Sequence, residues 1–527
     1  MRRRWLAVTA FACLLYGADP STDGKRWWSH ILYLADDKLE GRLTGSEGYH
    51  QAAVYVAGEF ERAGLRPGGT SGYFQPVKFK SREIVEEGSS LALVRHGKEE
   101  ALRLGEDATI SMRVDPADSL EAPLVFAGYG LTVPEMKFDD FADLDLRGKI
   151  AVYVSGGPSS IPGALSSHYQ SADERGAFLR RAGVVGTCIV ANPAGTDVPW
   201  ARSSLARFQP AMSLNYPAMG NEDRLKLSVT INPEHLDKWL AGSGHLANEI
   251  LALAKERKPL PHFPLDIGLK AKTQARRTEV ESPNVVAILP GSDPKLKDEY
   301  VVLSAHLDHL GVGRPINGDS IYNGAMDDAS GVATLLEIAE QLHEAKLTFR
   351  RSLLFVTVAA EEKGLLGSKY FATHPTVKPE QIVADLNVDM FLPLFPFRIL
   401  TVFGLDESDL GKQVRAVVEP LGIRIQPDLE PERNVFIRSD QYNFIRQGVP
   451  SLFFKVGYEK GSPEEAIAKQ WLKERYHAPS DDVHQPVDLK SAADFNRVIR
   501  MLAEAVANQT ARPQWNQNSF FRRFAGK

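Results

Sequence analysis

The chain has 527 residues, 43% hydrophobic and 24% charged, with a net charge of −5, an ordinary globular composition long enough for two or three packed domains. So slight a charge, with no long run of Lys or Arg, offers no field for a polyanion, and a nucleic-acid partner is not expected. Residues 1–18 carry Arg2, Arg3 and Arg4, then an apolar run from Trp5 to Tyr16, then Gly17 and Ala18. That is the layout of an export signal, and about 12 apolar residues are too few to span a bilayer as a helix. A secreted or periplasmic location is expected, with no stable membrane insertion once the signal is removed. Cys13 lies inside the apolar run, which makes lipid anchoring a minor alternative. The other cysteine, Cys188, sits in the apolar GVVGTCIVAN and reads as a buried, inert thiol.

From Trp27 to Leu65 the apolar residues Ala52, Val56, Phe60 and Ala63 recur at helical spacing, and Gly64 and Pro67 close the pattern. Strand-like runs follow at 74–79 and 90–94. Residues 24–115 therefore read as the N-terminal part of a main domain. Near Pro116 the texture changes to short β-rich runs, so 116–265 reads as an inserted β-rich domain. It closes with a helical stretch, 236–258, and a proline-bearing linker, KPLPHFPLD.

Residues 266–510 read as the rest of the main domain. Strand patterns at 284–289, 300–305, 352–360, 382–388, 399–403 and 450–456 alternate with helical ones at 331–344, 365–373, 407–421 and 491–508. This predicts an α/β fold, a mixed and mostly parallel sheet with helices on both faces. The last residues, 511–527, hold few apolar side chains and read as a surface tail.

Ligands of such sheets gather outside the carboxyl ends of the strands. Those ends carry chemistry here. The run 300–305 leads into His306, Leu307 and Asp308; Asp327 and Asp328 precede the helical pattern from Gly331. The third run ends in Glu361 and Glu362, the fourth in Asp389, and RYHAPSDD beyond the last brings His477. Imidazole and carboxylate suit zinc, and a catalytic zinc keeps one position open. His306, Asp327, Glu362, Asp389 and His477 are too many for one such ion and suit two zinc ions sharing one carboxylate. Glu361, adjacent to a ligand, can act as the base. His309 would face away from His306 on a continued strand and reads as structural. His343, His374 and His484 read as exposed.

In order along the chain, SAHLDHLG, YNGAMDDASG, AAEEKGLLGS, NVDM, IRSDQYNF and YHAPSDD resemble the dizinc aminopeptidases of peptidase clan MH. The resemblance covers residues 282–508. It implies that Asp327 bridges the two ions, with His306 and Asp389 on one and Glu362 and His477 on the other. It further implies that Glu361 is the general base and then the acid to the leaving amine. Asp308 would hold the His306 imidazole by a hydrogen bond, and the peptide between Asp327 and Asp328 would be cis. GYGL, FDDF and LDLRGKIAVYV resemble a protease-associated domain, which would flank the cleft. The implied substrate is a peptide; a carboxypeptidase, a glutaminyl cyclase or a non-catalytic binding protein on the same fold are alternatives. One position departs from the pattern. Phe436 stands where some of these aminopeptidases carry an oxyanion-binding Tyr, leaving that charge to the metals alone or to another donor such as Tyr476, Asn434 or Arg438.

Overall fold

The computed structural model describes residues 20–195, 198–219, 225–433 and 435–526. The expected export signal, 1–18, and Asn434 lie outside the described residues. Two large sheets organise the chain, each with its own core.

The main sheet has ten strands. At its centre Ser352–Val358, Tyr300–His306, Ile382–Val388 and Ser451–Val456 run parallel. Ala275–Leu289 and Phe74–Ile84 extend one side antiparallel, and Ile399–Phe403 extends the other. The apolar runs are long because both faces are covered. Val301, Leu303, Ala305, Leu353 and Phe355 enter one core with the helices Pro20–Leu34, Glu47–Arg62, Ser330–Glu344 and Leu489–Asn508. The alternating residues Val302, Leu354, Val356 and Val358 meet Phe371 and Phe444 of the helices Leu366–Thr373 and Gln441–Arg446 on the opposite face. That is the two-residue period of a strand. Among the described residues, no helix is long and apolar enough to cross a membrane.

The second sheet has eight strands, from Ser90–Arg95 to His262–Lys272, around Leu93, Phe126, Val152, Cys188, Val229 and Trp239. Cys188 is buried there, and burial pushes its thiol up in pKa. The sheet takes in Ser90–Ile110 as well as strands of 116–265. The expected linker KPLPHFPLD is instead largely strand. His262–Lys272 pairs antiparallel with Ser119–Ala127, and Pro264 sits at a register shift where its missing N–H breaks no ladder. The residues expected to form a surface tail also pack inward. Trp515, Phe521 and Phe524 are buried against Ile437, Tyr442 and Ile445, and Trp515 Nε1 donates to the Gly448 carbonyl at 2.8 Å. A few widely spaced aromatics anchor this segment, a pattern that average polarity hides.

Polar contacts join the two bodies. His168 Nδ1 lies 3.0 Å from the Tyr442 hydroxyl, Arg446 pairs with Glu174 at 3.2 Å, and Lys369 with Asp173 at 3.2 Å. Ala211–Leu214 leaves the second body to become an edge strand of the main sheet.

The buried Asp140, from the FDDF motif, accepts from Tyr129 N at 3.0 Å and Leu131 N at 3.1 Å through one oxygen. Burial outweighs both bonds and pushes its carboxyl from 3.8 to about 7. The folded chain therefore binds a proton that the unfolded chain has lost. Stability from this group is full below the unfolded pKa and falls as pH rises from about 4 to about 7, by about 1.4 kcal/mol per pH unit. Asp140→Asn keeps an oxygen for both N–H groups, so a pH series of denaturant midpoints is expected to flatten across that window.

Candidate metal centre

The carboxyl ends of the parallel strands converge as the alternation predicts. His306 closes one strand; Glu361 and Glu362 follow Ser352–Val358, and Asp389 follows Ile382–Val388. Asp327 lies in the turn before Ser330–Glu344, and the bond between Asp327 and Asp328 is cis. His477 comes just after the helix Pro463–Glu474, at φ 54°, in the left-handed region few non-glycine residues adopt. Gly324, at φ 63°, lets this turn close: a Cβ would sit 2.2 Å from the Asp327 carbonyl and 2.5 Å from the His309 ring.

Asp327 occupies the middle. Its Oδ1 is 3.2 Å from His306 Nε2, and its Oδ2 is 3.2 Å from His477 Nε2. His306 Nε2 is also 3.7 Å from Asp389 Oδ1, and His477 Nε2 is 3.2 Å from Glu362 Oε2. All five predicted ligands are thus brought together around one carboxylate.

Asp328 also lies within ligand distance of His306 and Asp389. Its oxygens are already engaged, accepting from Gly331 N at 2.8 Å, Met390 N at 3.1 Å and His306 N at 3.3 Å. It fastens three segments to one another, whereas Asp327 Oδ2 has no hydrogen-bond partner among the described residues. Asp481, from YHAPSDD, accepts from Met326 N at 2.9 Å and Asp327 N at 3.0 Å and so holds the turn that carries Asp327. Arg42, fully buried, donates to the carbonyls of Leu307, Asn323 and Gly324, tying both loops to the first helical segment.

Two expectations are corrected. His306 Nδ1 lies 3.0 Å from the Asp308 peptide carbonyl and 4.0 Å from its carboxylate. The chain turns after His306, so the backbone, not the side chain, meets the ring. A carbonyl only accepts, so Nδ1 carries a proton and Nε2 turns toward Asp327 and Asp389. The Asp308 carboxylate instead accepts from Glu361 N at 3.0 Å. His309 was expected to face away, but the strand ends at His306 and residue 309 bridges to Leu43. Its Nδ1 comes to 2.7 Å from Glu362 Oε1, without the alignment of a hydrogen bond. His343, His374 and His484 are exposed, as predicted.

The electrostatics are those of a site with surplus negative charge. Burial alone would lower the His306 pKa, but Glu361, Asp327, Asp389 and Asp328 raise it well above its ordinary value. Burial and the Glu362 charge oppose ionisation of Asp327, yet His306 and His477 hold its carboxyl below the usual range. Burial pushes the Glu361 carboxyl well up; His306 works against it, and Glu362, Asp440 and Asp389 work with it. Asp308 Oδ2, Asp327 Oδ2 and Glu362 Oε1 are buried without hydrogen-bond partners among the described residues. Each such atom costs about 1–3 kcal/mol or more unless something satisfies it. Cations among these imidazoles and carboxylates would do so, and the donor set fits zinc.

Two cavities open on the centre. One, about 160 Å³, is lined by Asp327, Glu361, Asp389, Phe403, Phe453 and Lys455. The other, about 830 Å³, runs between the two bodies past Arg113, Trp200, Glu362 and Lys363. Tyr476, His477 and Arg438 border both. Phe436 borders neither and packs on Phe521, with ring centroids 5.5 Å apart.

Comparison with known proteins follows the same segment. Residues 284–503 match Peptidase family M28. Over this segment the chain is similar to that family. The M28 match spans all five predicted ligands and Glu361. Curated relatives include a probable leucine aminopeptidase 2 of Aspergillus oryzae, 30% identical over 42% of this chain and 43% of the relative. Aminopeptidase Y of Saccharomyces cerevisiae is 28% identical over 39% and 35%. Carboxypeptidase Q of Xenopus laevis is 24% identical over 69% and 65%. The chain spans roughly two fifths of the length of the first two relatives. The fold is shared more widely: the aminopeptidase from Aneurinibacillus sp. strain AM-1 superposes with a TM-score of 0.57 at 20% identity, over 94% of this chain and 98% of that one.

Proposed function

We propose that this chain is an M28 peptidase, an exported zinc aminopeptidase that hydrolyses the N-terminal residue from peptides. The observation that carries the reading is the Asp327 carboxylate between two imidazoles, each 3.2 Å away, with an acid beside each. His306 and Asp389 would hold one zinc, Glu362 and His477 the other, and Asp327 both. When bound, paired zinc ions acidify a water and polarise the scissile carbonyl.

The chain's own groups do the rest. Glu361, facing the smaller cavity, takes the proton from the attacking water and returns it to the leaving amine. Asp308 fixes the backbone that carries Glu361, and Asp481 and Asp328 fix the backbone that carries Asp327. Tyr476 and Arg438, at the junction of both cavities, are the groups placed to donate to the developing oxyanion in place of Phe436. The second body is read as a protease-associated domain whose wall narrows the larger cavity. Export rests on the pattern of residues 2–18.

A carboxypeptidase is the second reading, favoured by the relative carboxypeptidase Q and by the cations Arg113, Lys363 and Arg438 in the larger cavity. Blocking the substrate separates them. An aminopeptidase cleaves a free-amine peptide and loses it on N-acetylation; a carboxypeptidase cleaves both. Failure to cleave either, with two zinc ions bound per chain, would refute both readings in favour of a binding protein, and a single zinc would point to a cyclase.

A further inference from the structure

The smaller cavity holds a charge that the hydrolysis described above does not use. In the strand Ser451–Val456, Leu452, Phe454 and Val456 contribute to the main core, while Phe453 and Lys455 alternate with them and line the cavity. Phe403 stacks on Phe453 with centroids 5.0 Å apart, and the Lys455 ammonium lies 5.4 Å from the Phe453 centroid. Met390, Leu429, Tyr458 and Leu472 complete a largely apolar wall. Of the cavity's other acid–base groups, Glu361 is the proposed base, His477 a proposed ligand, and Arg438 and Tyr476 border both cavities as candidate oxyanion donors. Glu430 pairs with Arg433 at 3.2 Å, and Asp428 accepts from Glu430 N at 2.8 Å. Asp327 and Asp389 belong to the ligand set.

Lys455 is half-buried, and among the described residues its ammonium makes no hydrogen bond or ion pair. A partly desolvated cation with three free donors is costly unless a ligand completes it. The apolar wall and the Lys455 ammonium beside it match a short aliphatic chain ending in a carboxylate. The geometry also decides which carboxylate. With the scissile carbonyl at the ligand set, the rest of a peptide needs the 830 Å³ cleft between the bodies, so the 160 Å³ cavity receives one side chain.

We propose that Lys455 makes this cavity selective for an acidic first residue, so that peptides beginning with glutamate or aspartate are the preferred substrates. This rests on the aminopeptidase reading above. The carboxylate of the bound residue meets the ammonium, and its methylenes lie against Phe453 and Phe403.

The test compares glutamyl, glutaminyl and leucyl nitroanilides on the zinc-loaded protein. Glutamine is nearly isosteric with glutamate, so the ratio of the two kcat/KM values isolates charge. The wild type is expected to favour glutamate over glutamine by roughly 10- to 100-fold, the range of a charge-assisted hydrogen bond. Lys455→Met should erase that ratio and Lys455→Arg should restore much of it, with zinc content checked in each. A wild-type ratio at or below one overturns the proposal even if the variants fail to fold. So does a ratio that Lys455→Met leaves unchanged, or a clear preference for leucine, while cleavage of any of the three leaves the aminopeptidase reading standing. If none is cleaved and an N-acetylated peptide ending in glutamate is, the aminopeptidase reading itself has failed, and this proposal with it.

Discussion

Replacing Glu361 by Gln is expected to lower kcat by roughly 100- to 10,000-fold while two zinc ions remain bound, the loss typical of removing a positioned general base. Glutamine preserves shape and the backbone contact, because the bond to Asp308 Oδ1 comes from the residue 361 amide and not from its side chain. Glu361 also lies outside the close pairs His306–Asp327, His306–Asp389, His477–Asp327 and His477–Glu362, so metal affinity should survive. Elemental analysis beside hydrolysis of leucyl or glutamyl nitroanilide reads both quantities on one sample. Full activity in the variant, or loss of the metals with it, would remove Glu361 from the role of base.

Asp327→Asn should give the opposite signature. The carboxylate offers one oxygen to each side of the site, Oδ1 toward His306 and Oδ2 toward His477. Asn keeps one oxygen and puts an NH2, which cannot ligate a cation, in place of the other. The expected result is a fall from two bound zinc ions to one or none after dialysis, with activity reduced by at least about 1,000-fold because both ions act on the same reaction. Asp327 N still donates to Asp481 and Asp328 still fastens its three segments, so circular dichroism of the variant should stay native. A variant that binds two ions would show that Asp327 is not shared. The two substitutions together distinguish a group that holds the metals from one that moves the proton.

Four of the five ligands were legible because each stands at the end or start of a strong local pattern, while His477 was marked by its motif. A parallel strand buried on both faces must be a continuous apolar run, so the abrupt appearance of His306, Glu361, Glu362 or Asp389 after such a run marks the edge where such residues collect. The helical period after Gly331 likewise set Asp327 at a loop-to-helix junction. The resemblance to the clan MH aminopeptidases added the pairing of the ligands, which no local pattern contains.

The supporting residues were not legible in this way. Asp328 reads as a helix-start residue, and nothing near it shows that its oxygens accept from residues 306, 331 and 390. Arg42 looks like a surface arginine, yet it is fully buried and bonded to carbonyls more than 260 positions away. Its guanidinium is tolerable there because Asp481, Asp308, Asp328 and Asp327 offset its burial. The strand at 262–272 was hidden by prolines that read as a linker, and the packing of 511–526 by three buried aromatics separated by polar residues.

By itself, then, the sequence determined the central strands of the main sheet, the long helices between them and the ligands at their ends, since periodicity and abrupt changes of polarity are properties of neighbouring residues. It also carried the motif that pairs those ligands. Only the tertiary structure decided that His309 lies against Glu362, that a backbone carbonyl and not the Asp308 carboxylate holds His306, and that Lys455 borders the centre with no hydrogen bond or ion pair among the described residues. Each of those depends on where a strand stops or on which distant strand lies beside it, and the energies that choose between such arrangements come from burial and hydrogen bonds between segments far apart in the chain.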